Sequence, residues 1–502
     1  MTDRPSANSH DLREPASAEG TRSWRQGANQ ANGESAQQGA PWRRDRVAGS
    51  QTSTEYAGPA SQSALATESA TTFDAIVVGA GPAGSAAALE LARAGHRVAL
   101  IERGAFPGAK NVYGGVIYGR ILDELIPNWW EEAPVQRWVT RRQTMLMTPT
   151  QSMTVDFRTE AWGKPPYNGA TAHRADFDAW LAGKAEEAGA ELVNSTVVTG
   201  LLTDAAGKIV GVRTDRADGH LLANVVIACD GVNSFLAKEA GMYPEGQVKH
   251  TTLGVKETLA LPRETIEERF GVRGTDGVDI EMVGCTRGIP GGGFLYTNLD
   301  SVSVGVVVEL VGLGKAKVRP EDLIADLKRH PSIAPLVRGG KLIEYAAHLI
   351  PEGGYKTMPR LTGDGFLVTG DAAAMCLAAG IWLEGVNFAI GSGMYAGRAA
   401  ARALSTGDTS KTGLAEYEKL LRESFVLADH RKLAGAPELL LGERMQGKYP
   451  AMVCDLVEQL FQVTNPTPKP GLRKLLRRGA KHHGVRLRDL AKDTIAGFRA
   501  YG

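Results

Sequence analysis

The chain has few cysteines, no long apolar runs and almost no net charge. Its four cysteines, Cys229, Cys285, Cys376 and Cys454, stand far apart among 502 residues. No CxxC pair exists, so no zinc or iron–sulfur signature is present and no metal ligand set is expected. Scattered thiols suit a reducing cytoplasm, where they serve as core residues. No apolar run approaches the roughly 18 residues that a membrane span needs. No apolar h-region stands near residue 1, so no signal peptide is expected. Lys and Arg number 57 against 56 Asp and Glu, a net charge of +1, which argues against a nucleic-acid binder. Residues 1–70 have few large apolar side chains and are rich in Ser, Ala, Gly, Gln, Thr and Arg. They bury too little to offset ordering entropy and are expected to be a disordered tail, with Trp24 and Trp42 incidental to it.

What is present centres on Phe73 to Arg103. Ala75-Ile76-Val77-Val78 is a short apolar run, as a buried parallel strand would be. Gly79-x-Gly81-x-x-Gly84 follows at once, with Pro82 and Ala83 inside it. Gly79 permits a sharp turn, Gly81 lets a pyrophosphate approach the backbone, and Gly84 lets helix pack close to strand. Ser85 to Ala94 is helix-forming, and Gly95 ends it. Its N-terminus offers unpaired N–H groups and a positive dipole end to phosphates. Val98 to Ile101 is a second strand, closed by Glu102 where a carboxylate accepts ribose hydroxyls. An acid there disfavours a 2′-phosphate, so the site suits FAD or NAD rather than NADP.

Further along, Arg103 to Gly115 is a glycine-dense loop, and Gly114-Gly115 would let backbone approach a flat ring. Ile121–Trp130 reads as helix and Trp138–Phe157 as strand. A helix opens at His173-Arg174 and runs to Ala188. Glu191–Thr199 reads as strand, and Leu222–Ala228 as a buried strand ending in Cys229-Asp230-Gly231. From 245 to 345, strand-like runs (Thr251–Leu259, Asp279–Val283, Gly293–Thr297, Ser301–Glu309) alternate with glycines. They predict a mostly antiparallel sheet inserted into the first domain. Gly365–Val368 returns to the first domain and leads into Thr369-Gly370-Asp371. Asp371 can accept from a ribityl or ribose hydroxyl. Gly385-Val386-Asn387 precedes a helix to Leu404, whose N-terminal N–H groups suit a developing negative charge such as a reduced flavin's N1/O2 edge. Beyond Gly413 the spacing predicts helices over Leu414–Leu427, Glu438–Gln446 and Met452–Phe461. Residues 469–499 are basic and amphipathic, suited to an anionic membrane surface or an acidic partner. His173, His348 and His430 are expected to be structural or surface residues.

Three motifs stand in order: GxGxxG with Glu102, Asp230-Gly231, and Gly370-Asp371. With the stretches ERGAFPGAKNVYGGVIYG, HRADFDAWLA, ACDGVNSFLAKEAGM, GIWLEGVNFAI and ESFVLADHRKL, they resemble a flavoprotein superfamily. It includes aromatic hydroxylases, geranylgeranyl reductases and electron-transfer-flavoprotein:quinone oxidoreductases, and the pattern over about residues 72–500 is most similar to the FixC family. The resemblance implies an α/β architecture. A Rossmann-like FAD-binding domain (71–244 and 346–405) carries an inserted, mostly antiparallel β-sheet domain for substrate or quinone (245–345), and a helical C-terminal region follows (406–502). It implies FAD as cofactor. Gly79, Gly81, Ala83, Gly84, Glu102 and Arg103 would hold the ADP half. Arg174 would contact FAD, and Val198 would pass the adenine by backbone. Asp230 and Gly231 would flank the cofactor, and Asp371, presented by Gly370, would sit near the pyrophosphate and ribityl. Gly385, Val386 and Asn387 would face the pyrimidine edge of the ring, and Gly114 and Gly115 its reactive face.

The implied activity is electron transfer from reduced electron-transfer flavoprotein, made of FixA- and FixB-like chains, to a quinone. In such assemblies this is the downhill branch of electron bifurcation from NADH. Longer quinone oxidoreductases carry a four-cysteine cluster domain; this chain lacks those cysteines, so a small FixX-like ferredoxin subunit would supply the cluster. The chemistry belongs to the flavin, and no catalytic side chain is expected. Trp382, Phe294 and Tyr296 would line a quinone channel. The expected location is the cytoplasm, with peripheral attachment to the inner face of the cell membrane. Rival readings are a geranylgeranyl-reductase-like isoprenoid reductase, an FAD-dependent monooxygenase and an FAD-bearing assembly subunit. Ala373-Ala374-Met375 lacks the His and Pro-rich turn usual in the monooxygenases.

Overall fold

A computed structural model describes residues 71–110, 115–244, 251–380 and 383–502. The expected tail, Gly114 and Trp382 lie outside the described residues.

The first strand, β1 (Thr71–Val78), holds Ala75, Ile76 and Val77 fully buried. An apolar run without alternation needs cover on both faces, which a parallel sheet between helices supplies. Helix α1 (Pro82–Arg93) follows, with Pro82 at its start where a missing N–H is tolerated. Then come β2 (Val98–Ile101), β3 (Gly115–Ile117), β4 (Val135–Met147), β5 (Ser152–Arg158) and β6 (Ala170–Ala172). Helix α2 (Arg174–Glu187) leads to β7 (Glu191–Val193), β8 (Val198–Thr203), β9 (Ile209–Thr214) and β10 (His220–Ala228). Next are β11 (Thr251–Ala260), β12 (Asp276–Val283), β13 (Gly291–Thr297), β14 (Ser301–Glu309) and β15 (Lys341–Pro351). β16 (Thr362–Gly363), β17 (Phe366–Val368) and a small hairpin, β18 (Leu377–Ala378) with β19 (Leu383–Glu384), precede the long helix α3 (Val386–Thr406).

Among the described residues the first sheet runs β16-β17-β10-β1-β2-β7, with β9 beside β10 and β8 beside β9. Its centre is parallel, and Ala228 at the end of β10 pairs with both Val78 of β1 and Val368 of β17. The three strands therefore end at one level. Gly79, Cys229-Asp230-Gly231 and Thr369-Gly370-Asp371 all leave the same carboxyl edge, where α/β sheets bind ligands. Helix α3 lies against α1 so closely that a Cβ on Gly397 would stand 2.6 Å from the Ala87 carbonyl oxygen.

The second sheet runs β15-β11-β14-β13-β12-β4-β6-β3, with β5 on β4. It is antiparallel except where β4 runs parallel to β12. One face buries Val278, Ile280, Val302, Val304, Val306 and Val308 with Leu323, Ile324 and Leu327 of the Pro320–Arg329 helix. This sheet extends past the expected 245–345, since β3 to β6 come from residues 115–172. The reason is non-local: β4 finds its partner β12 across a long stretch of chain, and local alternation carries no sign of that pairing.

The C-terminal region is helical. The expected Leu414–Leu427 helix is broken at Ser424, which is extended and whose hydroxyl accepts the Val426 N–H at 3.3 Å, capping the next helix. The last helices are α4 (Tyr449–Phe461), α5 (Leu472–His482) and α6 (Leu487–Tyr501).

Candidate functional site

A cavity of about 840 Å³ opens at the carboxyl edge of the first sheet. It brings together Gly81, Pro82, Ala83, Arg174, Gly231, Asp371, Gly385 and Val386. Gly79 shapes the turn. Its φ of +102° suits glycine, its N–H donates to the Ile101 carbonyl at 2.8 Å, and a Cβ there would overlap the Cys229 carbonyl. A Cβ on Gly84 would overlap the Gly79 carbonyl oxygen, so helix and turn meet backbone to backbone. Nothing lies within 4 Å of the Cβ position of Gly81 or Gly231, which leaves open space over both.

Glu102 is buried and accepts two backbone N–H groups, Ala80 at 3.1 Å and Gly104 at 2.6 Å. It clamps the glycine turn to the end of β2 and keeps further lone pairs for a ligand hydroxyl. Val198 opens β8, just beyond Thr196, whose N–H meets the Glu102 carbonyl at 3.0 Å. Arg103 is exposed, and Gly115 pairs with Ala172 in the second sheet; Val198, Arg103 and Gly115 do not line the cavity. Arg174 makes a two-pronged ion pair with Asp178 at 2.8 and 3.0 Å. Burial raises the Asp371 carboxyl, while His348 and Arg174 pull it down. Gly370 has a φ of +64°, and its N–H donates to the Ser392 hydroxyl at 3.1 Å.

Two buried acceptors stand ready. Asp230 Oδ2 accepts the Leu236 N–H at 3.0 Å, while Oδ1 has no partner, and burial raises its pKa. The Asn387 amide donates to Glu384, while its Oδ1 is buried without a partner. Buried acceptors of this kind call for a donor.

The opposite wall belongs to the second sheet and the C-terminal helices. Phe294 and Tyr296 of β13 line it, stacked at 5.7 Å and 16°. Met282, Leu349, Leu440 and Met445 add apolar surface. Among them lies a charged cluster that the sequence reading missed. Asp279 and Glu281, two apart on β12, point into the cavity while Val278 and Ile280 enter the core. Arg142 of β4 reaches Glu281 at 2.5 Å and Asp279 at 3.6 Å. Tyr118 stands beside them, its hydroxyl held well above the usual range by burial and by Asp279. Polar alternation within Asp279-Ile280-Glu281 was the available signal. His348, expected to be structural or surface, instead lines the cavity and acts on Asp371. His430 is buried, with Nδ1 against the Val426 carbonyl at 2.6 Å, and burial lowers its pKa.

Residues 72–272 match the FAD binding domain family, and residues 436–502 match the ETF-QO/FixC family C-terminal domain. The chain is 42% identical to Protein FixC of Salmonella typhi over 427 residues, which is 85% of this chain and 98% of that protein. The chain belongs to the FixC family. It is also 40% identical over 429 residues to the probable electron transfer flavoprotein-quinone oxidoreductase YdiS of Escherichia coli K12, covering 85% of this chain and 99% of that one. The geranylgeranyl bacteriochlorophyll reductase-like protein of Thermoplasma acidophilum shares the fold, with a TM-score of 0.64 at 21% identity over 85% of this chain and all of that one.

FAD is the cofactor of this FixC-family oxidoreductase. The crevice fits it on its own terms. Open space at Gly81 and Gly231 admits a pyrophosphate chain, and helix α1 begins beneath that space with unpaired N–H groups. Next to the lining residues Gly231 and Val386, Asp230 Oδ1 and Asn387 Oδ1 are buried acceptors without a partner, and FAD carries hydroxyl and ring N–H donors.

Proposed function

We propose that this FixC-family protein passes electrons from reduced electron-transfer flavoprotein to a quinone, as one subunit of an electron-bifurcating assembly. One observation carries the reading: a single cavity joins the dinucleotide crevice to an apolar, aromatic wall, so a flat apolar acceptor can lie beside the flavin. Its size is in the range of small-molecule sites, roughly 300–1,000 Å³. The relative named as a probable electron transfer flavoprotein-quinone oxidoreductase supports it.

In this reading FAD, when bound, supplies reversible two-electron chemistry. Gly79, Gly81, Pro82, Ala83 and Gly84 hold the pyrophosphate, with Glu102 on the adenosine ribose and Arg103 and Val198 beside the adenine. Arg174, Asp230, Gly231, Gly370 and Asp371 fix the middle of the cofactor. Gly385, Val386 and Asn387 face the pyrimidine edge, where the N-terminus of α3 favours negative charge. Gly115, at the start of β3, would lie toward the ring's reactive face. The apolar wall excludes water from the reacting face.

The partners are FixA- and FixB-like electron-transfer-flavoprotein chains and a FixX-like ferredoxin that carries the cluster for which this chain has no cysteine set. Among the described residues no helix is long and apolar enough to cross a membrane. Helix α5 exposes Leu472 and Leu476 beside Arg473, Lys474, Arg477 and Arg478, a face suited to peripheral attachment at the cytoplasmic side of an anionic membrane.

The test is anaerobic. Reduced electron-transfer flavoprotein is expected to reduce the bound flavin, and a short-chain quinone to reoxidise it. Rapid flavin reduction by NADPH alone, followed by oxygen uptake, would replace this reading with a monooxygenase.

A further inference from the structure

We propose that Glu281, held with Asp279 and Arg142 on the wall facing the flavin crevice, is the acid that protonates the quinone as it is reduced. The proposal rests on the quinone reading above.

A charge count comes first. Asp279, Glu281 and Arg142 are all largely buried, at 8%, 12% and 21% side-chain exposure. Fully ionised, they would carry one uncompensated negative charge where water screens poorly. Two carboxyls against one guanidinium therefore favour keeping one proton. Glu281 is where that proton sits. Its removal from water and the neighbouring Asp279 charge raise it to about 8, while burial offset by Arg142 brings Asp279 to about 6. Among the described residues, the other groups acting on the cluster are Tyr118, just past β3, and Glu384, the last residue of β19. Burial raises Glu384 while the Asn387 amide donates to it and pulls it back, and burial with the Asp279 charge holds the Tyr118 hydroxyl well above its usual range.

Geometry supplies the target. Tyr118, Asp279, Glu281 and Glu384 line the same cavity as Gly81, Gly385 and Val386. An acceptor lying between the flavin crevice and the second sheet has this carboxyl on its far side.

The chemistry balances. A quinone becomes a quinol by gaining two electrons and two protons. Both electrons and one proton arrive from the reduced cofactor. The second proton leaves the Glu281 carboxyl: its O–H bond breaks and a quinol O–H bond forms. Glu281 remains as a carboxylate facing Arg142, and a solvent proton restores it. No further oxidant or reductant is needed.

The experiment compares the wild type with Glu281→Gln, which keeps the shape and donates no carboxyl proton, and Glu281→Asp, which retains one. Each flavin-loaded, reduced protein is mixed anaerobically with ubiquinone-1 or with ferricenium, which takes an electron and no proton. Glu281→Gln is expected to slow reoxidation by quinone about tenfold or more, to leave ferricenium reoxidation unchanged, and to lose the decline above about pH 8. Glu281→Asp should recover part of the quinone rate. Infrared titration gives a readout independent of turnover. Wild-type protein, flavin-loaded or stripped, should lose a protonated carboxyl band between about pH 7 and 9 that Glu281→Gln lacks. A Glu281→Gln protein that quinone reoxidises at the wild-type rate, or a wild type without that band, would overturn the assignment. If the variant fails to bind flavin, the difference in that band between the stripped wild type and the stripped variant decides, since Glu352 in the same cavity is also raised, to about 7. A wild type that ferricenium reoxidises and quinone does not would instead sink the quinone reading, and this acid with it.

Discussion

The crevice wall of the cavity is built from backbone, and the wall opposite it from side chains. Gly79, Gly81, Gly84 and Gly231 leave main chain facing the cavity or meeting main chain, with one carboxylate, Glu102, clamping the turn. The second sheet presents Phe294, Tyr296, Tyr118 and the Asp279–Glu281–Arg142 cluster. A backbone wall tolerates almost no change in shape, because the groups it would collide with cannot move aside. A side-chain wall tolerates changes in shape and responds to charge. The first should therefore fail by losing the cofactor, the second by changing how the protein responds to pH.

The sharpest break of that contrast is Gly84→Val. Its Cβ would overlap the Gly79 carbonyl oxygen, a backbone atom, so the expected loss exceeds about 4 kcal/mol and the protein is recovered without flavin or unfolded. Flavin absorbance and yield measure it, and a folded yellow protein would show that the turn is looser than drawn.

Next is the pH dependence of folding. Glu281 is raised from 4.5 to about 8, so the folded chain keeps a proton that the unfolded chain has released across that window. Stability must then fall as pH rises through it, by at most about 1.4 kcal/mol per pH unit from this group, and level off above the folded value. Denaturant midpoints of Glu281→Gln between those limits should slope less steeply than those of the wild type. Parallel slopes would mean that the cluster holds no extra proton.

A smaller effect is expected for Glu102→Ala. Two backbone hydrogen bonds and a ribose acceptor disappear, and FAD affinity should weaken by about 1–3 kcal/mol, read by titrating stripped protein with FAD. Unchanged affinity would take Glu102 off the ribose and leave it only as the clamp on the glycine turn. The smallest is Arg103→Ala: the side chain is exposed, and folding stability should shift by less than about 0.5 kcal/mol. A larger loss would place Arg103 in the backbone wall after all.

These two walls also differ in how far they can be read without coordinates. The glycine spacing, the acid closing β2 and the Asp-Gly and Gly-Asp turns are local signals, each tied to the strand beside it. The second sheet hides its extent because β4 pairs with β12 from another part of the chain, and β3 to β6 carry no local mark of that partnership. His348 looked like any isolated histidine until β15 set it near Asp371. The Leu414–Leu427 run kept its helical periodicity while a serine cap divided it.

By itself, the sequence determined the nucleotide crevice, because backbone conformation at glycine is a property of a few adjacent residues, and it determined the family through those same motifs. Only the tertiary structure decided which strands form the far wall and which charges meet there. Arg142, Asp279 and Glu281 become a proton-holding cluster only when two distant segments share a sheet and water is shut out, and exclusion of water is a property of the assembled molecule.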